Sequence, residues 1–432
     1  VSTQKHNSNG VDSSQEIDRG HKHDRSQGID FTHVKMSNLD TEAQMRLLIE
    51  HSSMTGASDL FIFAGEPEYQ VAMRLWGRMR PITSLPSAEG RQLLNYVKAL
   101  AGIDITERRR PQDGRWIYRD DEKVIDLRLN LIPTREGEDL TVRLLDRENN
   151  LLSIDEIGLG RHDRNALMEM LQSSSGLVLV TGPTGTGKTT TLYACLQHLN
   201  DGNRKINTLE DPIEFSLPGI RQSQVNLKVG LDFSDLLRGV IRQQPDVIMV
   251  GEIRDKETAV TAVRAANSGH LVFATLHAPV ATGAVQSMLS FDIHPYFLAS
   301  CLRGVIAQRL VRVLDPETRV KYELGAAGNT FADIESLLED GQGTYFYGPD
   351  PTAENEGYKG RTAIFEMVTI NKTLRDAIIN RKPTHELEQL AEGMGMITFR
   401  KAAMLKVARG ETSMEEVFKS VPVEYLDLET TG

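Results

Sequence analysis

The eight residues Gly182-Pro183-Thr184-Gly185-Thr186-Gly187-Lys188-Thr189 match the pattern G-x-x-x-x-G-K-[ST] in full. No other stretch restricts the fold so tightly, because the pattern works only between a buried strand and the start of a helix. Both neighbours are present. Leu177 to Val180 is a continuous apolar run, the mark of a strand buried on both faces. Thr189 to Leu199 puts Leu192, Cys195, Leu196 and Leu199 on one helical face. Glycines let the backbone curl so that several N–H groups point at one anion, and the helix start adds positive potential. Lys188 can reach β- and γ-phosphates, and the Thr189 hydroxyl, with Thr190 beside it, can ligate Mg²⁺. The motif predicts a nucleoside triphosphate with Mg²⁺. It leaves open ATP or GTP, and the use made of hydrolysis.

Downstream, strand-like and helix-like stretches alternate. Lys205–Glu210, Asp246–Glu252 and Leu271–Leu276 read as buried strands, and Phe233–Arg242 and Asp255–Ser268 as helices. This alternation argues an α/β unit, a parallel sheet with helices on both faces. Ligands of such sheets bind off the carboxyl ends of the strands. Glu210, Glu252 and His277 all stand at strand ends, as the phosphate loop does. Hydrolysis needs one carboxylate to orient or deprotonate water and another in the shell of Mg²⁺. Glu252 follows a hydrophobic strand as a Walker B acid does, but Gly251 stands where many P-loop enzymes carry Asp. Magnesium contact, through water, therefore falls to Glu252. Glu210 is the candidate water-activating base, and His277 a candidate sensor of the γ-phosphate. Any one of these acids alone reads as well as a surface charge; three polar strand ends together favour a site.

A chain of 432 residues has room for about two to four domains. With 40% hydrophobic and 25% charged residues it can bury a sizeable core. A formal charge of −11 gives no global attraction to nucleic acid or anionic lipid. The two cysteines, Cys195 and Cys301, lie far apart in apolar segments and read as buried thiols of a reducing compartment. No apolar run approaches ~18 residues, so no membrane span is expected. Residues 1–36 are polar and read as a disordered tail, in which His21-Lys22-His23 is a solvated stretch rather than a metal site.

A first domain, 37–148, reads as α+β with a mostly antiparallel sheet. A helix capped by Asp40 comes first, then strands at Leu60–Phe63 and Tyr69–Trp76, a helix near Glu89–Ala101, and strands near 114–118, 124–131 and 139–145. Its arginines include Arg115, Arg128, Arg135 and Arg143. Arg128 and Arg143 lie inside apolar strand patterns, where an arginine either pairs at the sheet surface or reaches for phosphate. Glu148-Asn149-Asn150 reads as a hinge to the core, 149–314. Residues 315–358 form a polar, acidic insert, and from Gly360 onward helices dominate, with a capping box at Thr412-Ser413-x-x-Glu416.

Four motifs in order and spacing carry a resemblance over roughly 57–420: GPTGTGKTTTLYA from Gly182, TLEDPIEF from Thr208, RQQPDVIMVGEIRDKETA from Arg242 and GHLVFATLHA from Gly269. The chain resembles the secretion ATPases of type II secretion and type IV pilus systems, within the superfamily that includes type IV secretion ATPases. The motifs correspond to that family's Walker A, Asp box, Walker B and His box. The resemblance implies a RecA-like P-loop core, an N-terminal PAS-like α+β domain and a small C-terminal helical domain. It implies ATP with Mg²⁺, a homohexameric ring, and a cytoplasmic site at the inner face of the bacterial inner membrane, peripheral through a platform protein. It also implies that DLRLNLIPTREGEDLTVRLL, from Asp126, lends Arg128 and Arg143 to the nucleotide, which shifts those two toward phosphate contact. Many assembly-type members carry four zinc-binding cysteines after AQRLVR. AQRLVRVLDPETRVKYEL, from Ala307, has none, so no zinc is expected. There is also little room for the extra N-terminal domain of many assembly members. Pilus assembly or type II secretion is the favoured reading. A retraction or conjugation-type motor, or a nucleotide-binding scaffold with little turnover, remains the alternative, and no nucleic-acid partner is expected.

Overall fold

Asp40 caps the first helix as its place before an amphipathic stretch predicts: its carboxylate accepts from Ala43 N at 2.8 Å. The computed structural model describes residues 29, 31, 36–120, 123–146, 151–324 and 330–426. The chain divides into two compact units, 1–146 and 147–432. The stretch 1–28, with His21 and His23, and the hinge Glu148-Asn149-Asn150 lie outside the described residues. Met36, placed in the polar tail by its composition, is buried, and Phe31 stands edge-on to His51 at 4.9 Å.

In the first unit, helices α1 (Thr41–Met54) and α2 (Ser87–Leu100) accompany six strands: β1 (Asp59–Phe63), β2 (Glu68–Leu75), β3 (Arg78–Pro86), β4 (Gln112–Arg119), β5 (Val124–Pro133) and β6 (Glu138–Asp146). The sheet runs β3-β2-β1-β6-β5-β4 with every pair antiparallel. Alternation sorts the side chains. Leu60, Ile62, Leu127, Leu129 and Val142 form one core with Met45, Leu48, Leu93 and Val97 of the two helices. The sequence reading missed β3. It is an edge strand, where Pro81 and the polar alternation of Arg78 and Arg80 are tolerated. Trp76 and Gly77, at φ 50° and 85°, make the two-residue turn that brings it back.

The second unit opens with α3 (Arg161–Leu171), β7 (Gly176–Thr181), α4 (Lys188–Leu199), β8 (Ile206–Glu210) and β9 (Arg221–Gln224). There follow α5 (Phe233–Ile241), β10 (Val247–Val250), α6 (Lys256–Asn267), β11 (Leu271–Leu276), α7 (Ala281–Ser290), α8 (Pro295–Cys301) and β12 (Leu302–Leu314). A hairpin of β13 (Val320–Glu323) and β14 (Tyr345–Gly348) leads to β15 (Tyr358–Thr369), then α9 (Lys372–Ile379), α10 (Thr384–Gly393), α11 (Phe399–Ala408) and α12 (Met414–Ser420). The seven-stranded sheet has the order β15-β12-β7-β11-β10-β8-β9. All neighbours are parallel except β15, which runs antiparallel to β12. Leu177, Leu179, Ile248, Val250, Val272 and Ala274 face one core; Val178, Val180, Met249 and Phe273 face the other. The near-unbroken apolar runs of these strands follow from burial on both faces.

The C-terminal segment is therefore not purely helical, as its composition suggests. Its first long element, β15, joins the nucleotide-motif sheet, and its run Ala363–Val368 is buried throughout. The capping box at its end is half realised. Ser413 Oγ accepts from Glu416 N at 3.1 Å, but the Glu416 carboxylate turns away to Arg312 of β12. It accepts from Arg312 Nη2 at 2.8 Å and Nε at 3.0 Å, while the guanidinium stacks over Tyr358 at 3.7 Å. Cys195 and Cys301 are free and buried, and burial pushes both thiols up to about 12, which keeps them unreactive.

Removing one side of a buried ion pair leaves the other charge uncompensated. Glu416→Ala is expected to destabilise the second unit by about 3–5 kcal/mol, read by denaturant titration, because Arg312 loses its buried carboxylate and keeps only the more exposed, 3.5 Å pairing with Glu356 beside the Tyr358 ring.

Candidate active site

The phosphate loop is shaped by three positive-φ glycines, of which Gly182 and Gly187 matter most. Gly182 (φ 142°) lies so close to β12 that a Cβ would sit 2.5 Å from Gln308 O, and Gly187 (φ 84°) is the N-cap of α4. Pro183, Thr184 and Gly185 are exposed at the tip, Thr186 is buried, and Thr189 and Thr190 are half-buried in the first turn of α4. Thr186 Oγ1 donates to Pro183 O at 2.9 Å. Lys188 Nζ donates to Gly182 O at 2.7 Å and Pro183 O at 3.0 Å, which holds its ammonium under the loop. Burial pulls the Lys188 pKa down, and the nearby Glu252 charge opposes that.

Strand register explains why distant motifs meet. Thr181 is level with Leu276, Val250 with Ala274, and Leu209 with Val250, so the carboxyl ends of β7, β11, β10 and β8 stop within two residues of one another. Glu252 lies just past β10, where its carboxylate meets Arg254 Nη2 at 2.5 Å and His277 Nε2 at 2.7 Å. Burial works to raise the Glu252 pKa, but the hydrogen bond and charge of Arg254, and then His277, win and hold it below the usual carboxylate range. The His277 turn is pinned from behind: Thr181 Oγ1 donates to Ala278 O at 2.8 Å and accepts from Ala278 N at 2.7 Å. Gly251 has a steric reason to be glycine. Its N–H donates to Leu209 O at 2.7 Å, and a Cβ would come within 3.0 Å of that oxygen and 3.4 Å of Glu210 Cα. A Walker B aspartate there would require the backbone to move.

Lys188, Glu252 and His277 are thus gathered. Glu210 ends the adjacent strand, but its carboxylate turns toward α4 and is only 3% exposed. It accepts from Thr208 Oγ1 at 2.5 Å, from Gln222 Nε2 at 3.0 Å and from Tyr193 OH. A carboxylate has about four lone-pair sites, so three donors leave one acceptor position.

Arg128 and Arg143 belong to the first unit. Cross-strand register places Arg115 opposite Arg128, Arg128 opposite Arg143, Arg143 opposite Asp59, and Asp59 opposite Arg74, one row across the sheet face away from the helices. Arg143 Nε bonds Asp59 at 3.2 Å, and Arg115 holds Asp126 through Nε at 2.8 Å and Nη2 at 2.6 Å. The Arg143 and Arg115 side chains are still about 60% exposed.

Sequence reasoning missed Arg254, Thr181, Tyr193 and Gln222. Arg254 had a signal, since it follows Glu252 by two in a motif already under scrutiny. Tyr193 also lies inside a motif, GPTGTGKTTTLYA, but nothing in it points to Glu210; Gln222 had no signal, because only folding brings it there.

A family model described as type II/IV secretion system protein matches residues 39–419. Type II secretion system protein E of Xanthomonas campestris pv. campestris is 40% identical over 376 residues, 87% of this chain; the chain spans 66% of that relative's length. The type IV pilus assembly ATPase PilB of Thermus thermophilus is 37% identical over 388 residues, 88% of this chain and 43% of its own length. Among solved structures, the pilus retraction motor PilT with bound ADP superposes with a TM-score of 0.59 at 25% identity, covering 86% of this chain and 95% of that one.

Thr181→Val strips Ala278 N and O of their partner in a fully buried position. The expected cost is about 2–4 kcal/mol, while Thr181→Ser keeps the hydroxyl and loses under about 1 kcal/mol. Paired denaturant titrations of the two variants check this.

Proposed function

This chain belongs to the type II/IV secretion system ATPase family, and on that premise we propose that it is a P-loop motor that hydrolyses ATP to drive type II secretion or type IV pilus assembly. The observation that carries the reading is the convergence of Lys188, Glu252, Arg254 and His277 beside the phosphate loop. Identity of 37–40% to a type II secretion protein E and to a pilus assembly ATPase supports export or assembly over retraction, for which the likeness is 25%. We take the second unit's sheet as a RecA-like core from 149 onward and the first unit as a PAS-like domain, 37–148. A homohexamer, cytoplasmic and docked on an inner-membrane platform protein, is the assembly proposed. Among the described residues no helix is long and apolar enough to cross a membrane, which is consistent with attachment through a partner.

Each residue has a task in this reading. The backbone N–H groups of Gly182–Thr190 and the Lys188 ammonium cradle the triphosphate. The Thr189 hydroxyl and the Glu252 carboxylate, hard oxygen donors with Glu252 held ionised, fit Mg²⁺. When bound, Mg²⁺ draws charge from the β- and γ-phosphate oxygens. Glu210 is the proposed water-activating base: its donors Tyr193, Thr208 and Gln222 leave one acceptor position, and its buried carboxylate must turn from α4 toward the strand ends to reach the attacking water. His277, half exposed and bonded to Glu252, reports the γ-phosphate. Arg128 and Arg143 are proposed phosphate contacts.

Phosphate release from ATP tests the reading. Lys188→Ala and Glu252→Gln are each expected to lower turnover about 100-fold or more; a parent no faster than either variant sinks the motor and leaves a nucleotide-binding scaffold. Deleting the gene should abolish surface pili or secretion, whereas excess pili would mark a retraction motor.

The electrostatics give a second test. Arg254 holds Glu252 ionised against its burial, so Arg254→Met should raise the Glu252 pKa. The acid limb of the pH–kcat/KM profile should move to higher pH, and an unmoved limb would show that Glu252 does not set it.

A further inference from the structure

The ladder of β12 and β15 touches both loops of the site, one from each face. Antiparallel pairing sets Gln308 opposite Phe365 and Ala307 opposite Glu366, so Gln308 and Glu366, on adjacent rungs, point to opposite sides of the sheet. On one side, the Gln308 amide donates through Nε2 to Thr186 O at 2.5 Å, beneath the phosphate loop. Gln308 is 1% exposed, a Cβ on Gly187 would lie 3.2 Å from that nitrogen, and Oε1 is buried without a hydrogen-bond partner. A buried amide whose nitrogen is bonded to the loop while its oxygen goes without a partner is costly, so its place beneath the loop calls for a use.

On the other side, the Glu366 carboxylate is 2% exposed and serves two helix starts. Oε1 accepts from Ala281 N at 2.8 Å, the first residue of α7, and Oε2 accepts from Phe399 N at 3.1 Å, the first residue of α11. The N-cap of α7, Val280, has no side-chain oxygen to offer, so Glu366 is its substitute cap. The turn from His277 to Val280 is thereby held at both ends, by Thr181 at Ala278 and by Glu366 at Ala281. Arg309, the next β12 residue, adds a 3.4 Å contact to Pro279 O and packs over the Phe399 ring. Burial, with smaller contributions from Glu388 and Glu392, pushes the Glu366 carboxyl up to about 7, and the two N–H donors work against that rise.

We propose that Gln308 and Glu366 are positioning residues for nucleotide turnover: Gln308 shapes the phosphate loop for binding, and Glu366 seats the His277 turn for hydrolysis and ties it to α11. The two act through one ladder but on different steps. The proposal rests on the reading of this site as one that binds and hydrolyses ATP. It adds a route by which a change at the γ-phosphate turn reaches the C-terminal helices.

The test is the full-length protein with Gln308→Met, which keeps volume and removes the amide, and Glu366→Gln, which keeps shape but retains one acceptor oxygen for two donors. Fluorescent mant-ATP binding and steady-state phosphate release are measured on each. Gln308→Met is expected to weaken mant-ATP binding about tenfold with kcat within about threefold of the parent. Glu366→Gln is expected to lower kcat about tenfold with mant-ATP affinity within about twofold. Glu366→Asp, which keeps the charge on a shorter arm, should recover part of kcat; it also replaces Glu366→Gln should that variant not fold. Purely structural roles would lower the melting temperature of both variants while leaving both kinetic parameters intact, and that result, or parallel losses in the same parameter, overturns the proposal. A parent that binds mant-ATP without hydrolysing it would refute the motor reading instead, and the binding arm on Gln308 would still decide its half.

Discussion

Parallel strands all end in one direction, and the register of β7, β11, β10 and β8 makes them end within two residues of one another. Everything chemical in the second unit depends on that constraint. Residues 181, 210, 252 and 277 are separated by tens of residues in the chain, yet each stands at or just past the carboxyl end of a buried strand. The sheet turns four local sequence features into one edge. The covering helices matter mainly because they bury both faces and allow the strands to be continuous apolar runs.

Glu252 shows how the edge is tuned. Burial alone would favour its neutral form, and a neutral carboxyl is a poor ligand for a hard cation. Arg254 on one oxygen and His277 on the other reverse the balance. The same arrangement sets Lys188 against its own burial, with Glu252 supplying the opposing charge. Gly251 belongs to this balance too. A side chain there would crowd Leu209 O at 3.0 Å, and with glycine in its place Glu252 is the acid immediately past β10. Glu210, one strand over, is handled differently, with neutral donors from Tyr193, Thr208 and Gln222 in place of cations.

The parts of this arrangement legible in the sequence were those carried by short-range pattern. The phosphate loop, the three later strand ends, the Asp40 cap and the Ser413 cap each lie within a few residues of the signal that announces them. What escaped was set by long-range contact. Edge strand β3 is polar and proline-containing, so nothing local marks it as a strand until Trp76-Gly77 turns it onto β2. β15 sits in a segment whose other elements are helices, and only its pairing with β12 gives its apolar run a sheet to join. Glu416 obeys the capping-box pattern for its backbone and breaks it with its side chain, because the charged guanidinium of buried Arg312 is a stronger partner than a neutral backbone N–H. Arg128 and Arg143 were readable as unusual, but the choice between pairing and phosphate was not, since it depends on which residues stand across the sheet.

The row on the first unit bears on that choice. Like charges directly opposite on neighbouring strands are destabilising by roughly 0.2–1 kcal/mol per pair, and here Arg115, Arg128 and Arg143 stand abreast. A sheet selected for stability alone would alternate sign along such a row. Asp59 and Asp126 offset part of the repulsion, and in doing so they hold the arginine forks extended and oriented. The two aspartates are buried while the Arg143 and Arg115 side chains are about 60% exposed, so each guanidinium can turn an outer edge to solvent without leaving its carboxylate uncompensated. In the proposed reading of Arg128 and Arg143 as phosphate contacts, pairing and phosphate recognition would not compete: Asp59 and Asp126 orient Arg143 and Arg115 from below, and the outer edges of the forks would be what a polyanion meets.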